Sequence, residues 1–160
     1  MKIISTILVT LLAVVSLSAQ ARYDGEDRGK PVQPAQVNAK FQQECAGCHM
    51  AFPPGLLPAA SWRKMMTGLE KHFGVDASLT PAEVTEITDF LVKNASNRWT
   101  ASTSPLRITE SAWFKSKHNE REVSPAVWKR ASIKSASNCM ACHAGADKGN
   151  FDEHSIKIPK

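Results

Sequence analysis

Hydrophobic and polar positions change rhythm several times along the chain. Residues 3–15 are mostly apolar behind a single charge, Lys2, and Ala19-Gln20-Ala21 then supplies the small-x-small spacing that signal peptidase accepts. This pattern predicts an export leader over residues 1–21, cut after Ala21, and so a periplasmic location. The apolar run is short for a membrane span, and no later stretch is long and apolar enough to cross a bilayer. Residues 22–36 are polar, with Gly25, Gly29, Pro31 and Pro34, and are expected to form a flexible N-terminal arm.

Helical periodicity begins after the arm. Val37 to Cys48 is compatible with a helix, broken by Phe52-Pro53-Pro54-Gly55. From Ala59 to Phe73 the residues Trp62, Met65, Met66, Leu69, His72 and Phe73 repeat at helical spacing and predict one apolar face, with Gly74 as C-cap. Thr80-Pro81-Ala82-Glu83 has the form of a capping box with proline at the first helical position. The helix that it opens is expected to bury Val84, Ile87, Phe90 and Leu91. Ser96 to Pro105 reads as a linker between a first lobe, residues 37–97, and a second, residues 98–160. In the second lobe, Glu110 to His118 predicts a short helix, and Ser124-Pro125 caps another through Val127 and Trp128. No stretch alternates with the period of a strand, so the expected class is all-α, small and two-lobed. The lobes do not align with each other beyond one shared motif.

That motif changes the picture. All four cysteines fall in two frames, Cys45-Ala46-Gly47-Cys48-His49 and Cys139-Met140-Ala141-Cys142-His143. A disulfide framework scatters its cysteines, and a zinc ribbon keeps its knuckles close and has no use for a histidine after each. A redox dithiol follows a strand, and neither pair does. Covalent haem attachment explains every residue. Two thiols add across the two vinyl groups of a porphyrin, and the adjoining imidazole reaches the iron. The expected cofactors are therefore two covalently bound haem c groups. Cys45, Cys48, Cys139 and Cys142 form the thioethers, and His49 and His143 are the first axial ligands.

Each iron then needs a second ligand or keeps an open site. His72 lies on the apolar face of the Ala59–Phe73 segment, which a haem has to meet. His118 ends the short helix of the second lobe, and the chain beyond His143 is too short to wrap far across a haem. His118 is thus favoured over His154, which stands in an acidic, polar tail. Met65 and Met66 are the methionine alternatives, at positions typical of core packing.

The chain resembles the bacterial dihaem cytochromes c over nearly all of its mature length. The resemblance rests on Cys45 to His49 followed by Ala51-Phe52-Pro53-Pro54-Gly55-Leu56-Leu57-Pro58-Ala59, on Ser61-Trp62, and on Leu69 to Gly74. In the second lobe it rests on Val127 to Arg130, Asn138 to His143 and Phe151-Asp152-Glu153. It implies two low-spin haems, each with two histidine ligands. His72 matches the family's histidine before Phe-Gly, and His118 the one ahead of Trp-Lys-Arg. His154 stands where relatives are expected to carry an acid. The resemblance also implies two redox partners, a small oxygen-binding monohaem cytochrome c and a membrane b-type cytochrome.

The expected function is electron shuttling through two bis-histidine haems, with no enzymatic activity. The competing class is a haem enzyme or gas-binding protein, of peroxidase or nitrogen-oxide reductase type, with one open axial site. A third is a structural zinc or disulfide protein. Formal charge is +5, Lys2 leaves with the leader, and haem propionates add roughly −4. With no basic block interleaved with aromatics, nucleic acid is not an expected partner.

Overall fold

The computed structural model describes residues 32–34, 36–97 and 104–160. The expected leader, most of the expected arm and most of the expected linker lie outside the described residues. Among those described there is no strand, only the isolated bridges Pro58–Ser96 and His72–Val75. The class is all-α, as the missing alternation predicts.

Among the described residues five α-helices carry the fold. They are α1 (Ala39–Cys45), α2 (Ala59–Met66), α3 (Pro81–Lys93), α4 (Ala112–Lys117) and α5 (Pro125–Trp128). Asn38 starts α1 by accepting the Phe41 amide through its side chain at 2.7 Å. Thr80 and Glu83 close the capping box that opens α3. Ser124 precedes the proline that opens α5, but its side chain makes no cap hydrogen bond there.

The first lobe holds the main core. Phe41, Ala51, Leu57, Trp62, Met66, Ile87, Leu91 and Ala95 are buried together where α1 and α2 meet α3. Trp62 also donates its indole N–H to the Pro54 carbonyl at 2.8 Å, so the proline-rich turn is locked against α2. Ile87 and Leu91 are fully buried, while Val84 and Phe90 pack at the edge of this core.

The segment expected as one helix from Ala59 to Phe73 is split. The α-helix stops at Met66, and a 3₁₀ turn, Leu69–Lys71, continues the chain. Thr67 turns its hydroxyl back to the Lys64 carbonyl at 3.1 Å, and Gly68 leaves helical geometry at φ −133°, ψ 29°. His72 therefore ends a 3₁₀ turn rather than riding on a continuous helix.

The second lobe is built more from turns. Besides α4 and α5 it has short 3₁₀ segments, including Cys139–Ala141, and its buried apolar residues are Phe114, Val127, Ile133 and Ala146. The two lobes are tied by a strap near the start of the described chain. Val32 accepts the Gly55 amide at 2.9 Å in the first lobe. Its neighbour Gln33 lies on Gly149 in the second, so closely that a Cβ added there would stand 2.4 Å from the Gln33 Cβ. Gly149 has φ +76°, so space and backbone both require glycine.

Candidate functional site

Each CxxCH motif sits at the end of a local turn that the sequence dictates. In the first, α1 ends at Cys45, and the Ala46 amide bonds back to Gln42, so Cys48 and His49 follow in a tight turn. In the second, the Cys142 and His143 amides both bond to the Cys139 carbonyl, at 3.2 and 2.8 Å. One turn thus brings both thiols and the imidazole of each motif to one locality. None of the four cysteines is in a disulfide. Burial, with help from Glu44, pushes the Cys45 thiol up to about 11. Burial also raises Cys139 and Cys142, the latter opposed by the positive charge of Arg130. Thiols held protonated resist chance oxidation.

The histidines pair across the lobes' clefts. His49 and His72 have ring centroids 6.0 Å apart and planes inclined by 28°. His118 and His143 have centroids 6.1 Å apart and planes inclined by 70°. His49 is in contact with Nδ1 to the Met50 carbonyl at 2.7 Å, and His118 with Nδ1 to the Phe114 carbonyl at 3.1 Å. A carbonyl only accepts, so both rings carry their proton on Nδ1 and keep the Nε2 lone pair free for a metal. His143 Nδ1 is buried and has no protein partner. Burial lowers the pKa of His72, His118 and His143, assisted at His72 by His49 and Arg107 and at His143 by His118. Neutral imidazole is the form that binds iron.

Aromatic rings wall both pairs. Phe52 lies 5.0 Å from His49, and Phe73 lies 4.8 Å from His72. Phe114 stacks on His118 at 4.1 Å and 11°, Trp128 stands 6.0 Å from the same ring, and Phe151 lies 5.3 Å from His143. The distal turn of the first pair is distinctive. Phe73 and Gly74 both have positive φ, 50° and 101°, and the Val75 amide bonds to the His72 carbonyl at 3.1 Å. This is the backbone of a type I′ turn, with a phenylalanine where glycine or asparagine is usual. Arg107 reaches over from the second-lobe side and places its guanidinium 4.0 Å from the centre of the Phe73 ring.

The other sequence candidates lie elsewhere. His154 is exposed and paired with Asp152 at 2.9 Å. Met66 is buried in the first-lobe core, with Met65 packed against it. Among the described residues no three or more His, Cys, Asp or Glu side chains gather as a cage for a metal ion. Sequence reasoning passed over Phe52, Phe73 and Phe151 as walls, though all three stand inside quoted motifs. It gave no sign of Arg107.

A model of the dihaem cytochrome c family matches residues 41–151. The chain belongs to the dihaem cytochrome c family. Among solved structures, the cytochrome is similar to a dihaem cytochrome c from Rhodobacter sphaeroides. The identity is 44%, the match covers 72% of this chain and 97% of that one, and the TM-score is 0.66. A second structure of a protein purified from that organism matches at 47% identity, over 72% and 98% of the two chains, with TM-score 0.64. A dihaem cytochrome c from Shewanella baltica matches at 40% identity, over 76% and 93%, with TM-score 0.67. The curated proteins contain no match. The family carries two covalently bound haem c groups, and so does this cytochrome. Its residues fit them: four thiols outside any disulfide, two CxxCH turns, and two facing imidazole pairs walled by aromatic rings.

Proposed function

We propose that the cytochrome is a periplasmic carrier of single electrons and has no enzymatic activity of its own. His49 and His72 hold the first haem iron, and His143 and His118 hold the second. The observation that carries this reading is the spacing of the two pairs. An imidazole nitrogen binds a metal at about 2 Å, with its ring centre about 1 Å further back, so two rings that shared one metal ion would stand about 6 Å apart. The pairs stand at 6.0 and 6.1 Å.

When bound, each haem supplies a one-electron Fe(III)/Fe(II) change. The chain's own residues do the rest. The Met50 and Phe114 carbonyls orient His49 and His118 by holding the proton on Nδ1. Phe114 is buried, and Phe52, Trp128 and Phe151 are partly so; beside the imidazoles these rings would lower the local dielectric and tune the potential. With two histidines at each iron, neither haem would offer a position to a substrate. Removal of the leader after Ala21 releases the mature chain, and among the described residues no helix is long and apolar enough to cross a membrane. The partners in this reading are a small oxygen-binding monohaem cytochrome c and a membrane b-type cytochrome, on the strength of the family resemblance.

The test is an absorption spectrum of the purified protein, oxidised and then dithionite-reduced, with and without carbon monoxide. Two low-spin haems unaffected by carbon monoxide are expected. In His118→Ala one of the two turns high-spin and binds the gas. A carbon monoxide shift in the unaltered protein would instead mean an open iron and the chemistry of a haem enzyme.

A further inference from the structure

Charge is distributed unequally between the lobes. Residues 37–97 hold five Lys and Arg against six Asp and Glu, whereas residues 104–160 hold ten against six. Each haem brings the same propionates to its own lobe, so this difference survives loading. The contrast sharpens at the anchors. The first anchor has Glu44 beside Cys45, and Glu44 and Glu83 both bind the nearby Lys40, at 3.9 and 3.3 Å. The second anchor is bonded by Lys157, and Arg130 and Lys134 lie on the segment that leads into it.

Those segments are laced together. The Lys157 amide donates to the Cys142 carbonyl at 3.1 Å, Arg130 Nη1 donates to the Pro159 carbonyl at 2.7 Å, and the Ser132 hydroxyl donates to the Lys160 carbonyl at 3.1 Å. The tail, residues 156–160, is thereby fastened along residues 130–142. Lys134, Lys157 and Lys160 are exposed, as are the apolar Met140, Ile156 and Ile158 on the same segments. Three of the lobe's carboxylates are already engaged, Glu110 by Arg107, Asp152 by His154 and Glu153 by Lys117. Apolar side chains set among cations, over a covalently held redox group, are what a transient charge-steered encounter uses.

We propose that the surface around the second CxxCH, formed by Met140, Ile156 and Ile158 with Arg130, Lys134, Lys157 and Lys160, docks a redox protein with an acidic face. Electrons then pass between that partner and the second haem, and the first lobe serves the other partner. The inference rests on the electron-carrier reading and adds a direction to it.

The experiment mixes the oxidised, haem-loaded protein with reduced flavodoxin, a small acidic one-electron protein, in a stopped-flow instrument. The second-order rate is expected to fall about tenfold or more from low to physiological ionic strength. Lys134→Glu with Lys157→Glu lowers the low-salt rate about tenfold and flattens its salt dependence. Arg63→Glu with Lys64→Glu, on the exposed side of α2, changes it by less than ~2-fold. Equal losses from both pairs would leave only net charge and overturn the docking surface. So would no loss from the second-lobe pair. Binding of the unaltered protein to anionic-lipid vesicles, with a flavodoxin rate indifferent to salt, would assign the cations to a membrane surface instead and also overturn it. An unchanged low-spin spectrum in each variant shows that it has folded. The carbon monoxide test stands apart, because an open iron would sink the carrier reading whatever the salt dependence.

Discussion

Arg107 holds a positive charge over Phe73, and Phe73 leans on His72. A fixed cation near an iron favours its reduced state, because the reduced form carries less positive charge. Replacing Arg107 with glutamine is therefore expected to lower the midpoint potential of one haem and leave the other unchanged. A spectroelectrochemical titration reads this directly, and lysine at the same position restores part of the shift. Phe73 accepts a left-handed backbone that costs about 1–2 kcal/mol for an L-residue, so the turn beneath His72 stores strain at a functional position. The two CxxCH motifs were legible at this scale, since their chemistry lies in adjacent residues. The Phe-Gly pair was expected to close a helix, with Gly74 as its C-cap, and instead forms a turn of its own after the helix has ended at Met66. The arginine was not legible, because nothing local links position 107 to position 73, and only tertiary folding brings a cation from one lobe onto a ring in the other.

Among the elements, α3 shows how far local signals reach. Its start was readable because a capping box is a bargain among four consecutive residues. Thr80 and Glu83 keep it, with the Glu83 carboxylate on the Thr80 amide at 3.0 Å. Thr80→Ala is expected to cost about 1 kcal/mol in denaturant unfolding. The Thr80 hydrogen bonds, and then Lys40, hold the Glu83 carboxyl below its usual value of 4.5. A depressed carboxyl stabilises the fold above its unfolded value and stops doing so as pH falls through the folded one. The stability of the native protein should thus drop below about pH 4.5 more steeply than that of Glu83→Gln. The end of α2 was not readable. Apolar positions keep helical spacing past Met66 because the 3₁₀ turn also faces the core, and periodicity alone does not tell one continuous helix from a helix and a turn. The difference matters for His72, which is held by the turn and so by the residues around it rather than by a helix.

For the whole molecule the inequality of the lobes decides most. Among the described residues the first lobe buries eight apolar side chains in one cluster, while the second buries four and adds the stack of Phe114, His118 and Trp128. So small a core rarely holds a fold by itself, and a covalent group has to supply the missing interior. Cys139→Ser with Cys142→Ser, which blocks attachment of the second haem, is expected to leave the backbone amides of α4 and α5 unprotected while those of α3 stay protected. Hydrogen exchange makes the comparison. The all-α class could be expected from the absence of any strand period, while the expected boundary after residue 97 leaves Ile108 packed against the first core. The weakness of the second lobe could not be expected, because it depends on how few of its apolar residues find partners in space.

The strap formed by Val32 and Gln33 gives this inequality an order in time. Synthesis runs from the amino end, so Gln33 is made early and then waits for Gly149, its seat. The seat takes shape only when the segment that follows the second anchor has folded. The opening residues of the described chain are therefore expected to settle last, and a molecule lacking its second haem is expected to leave this latch open.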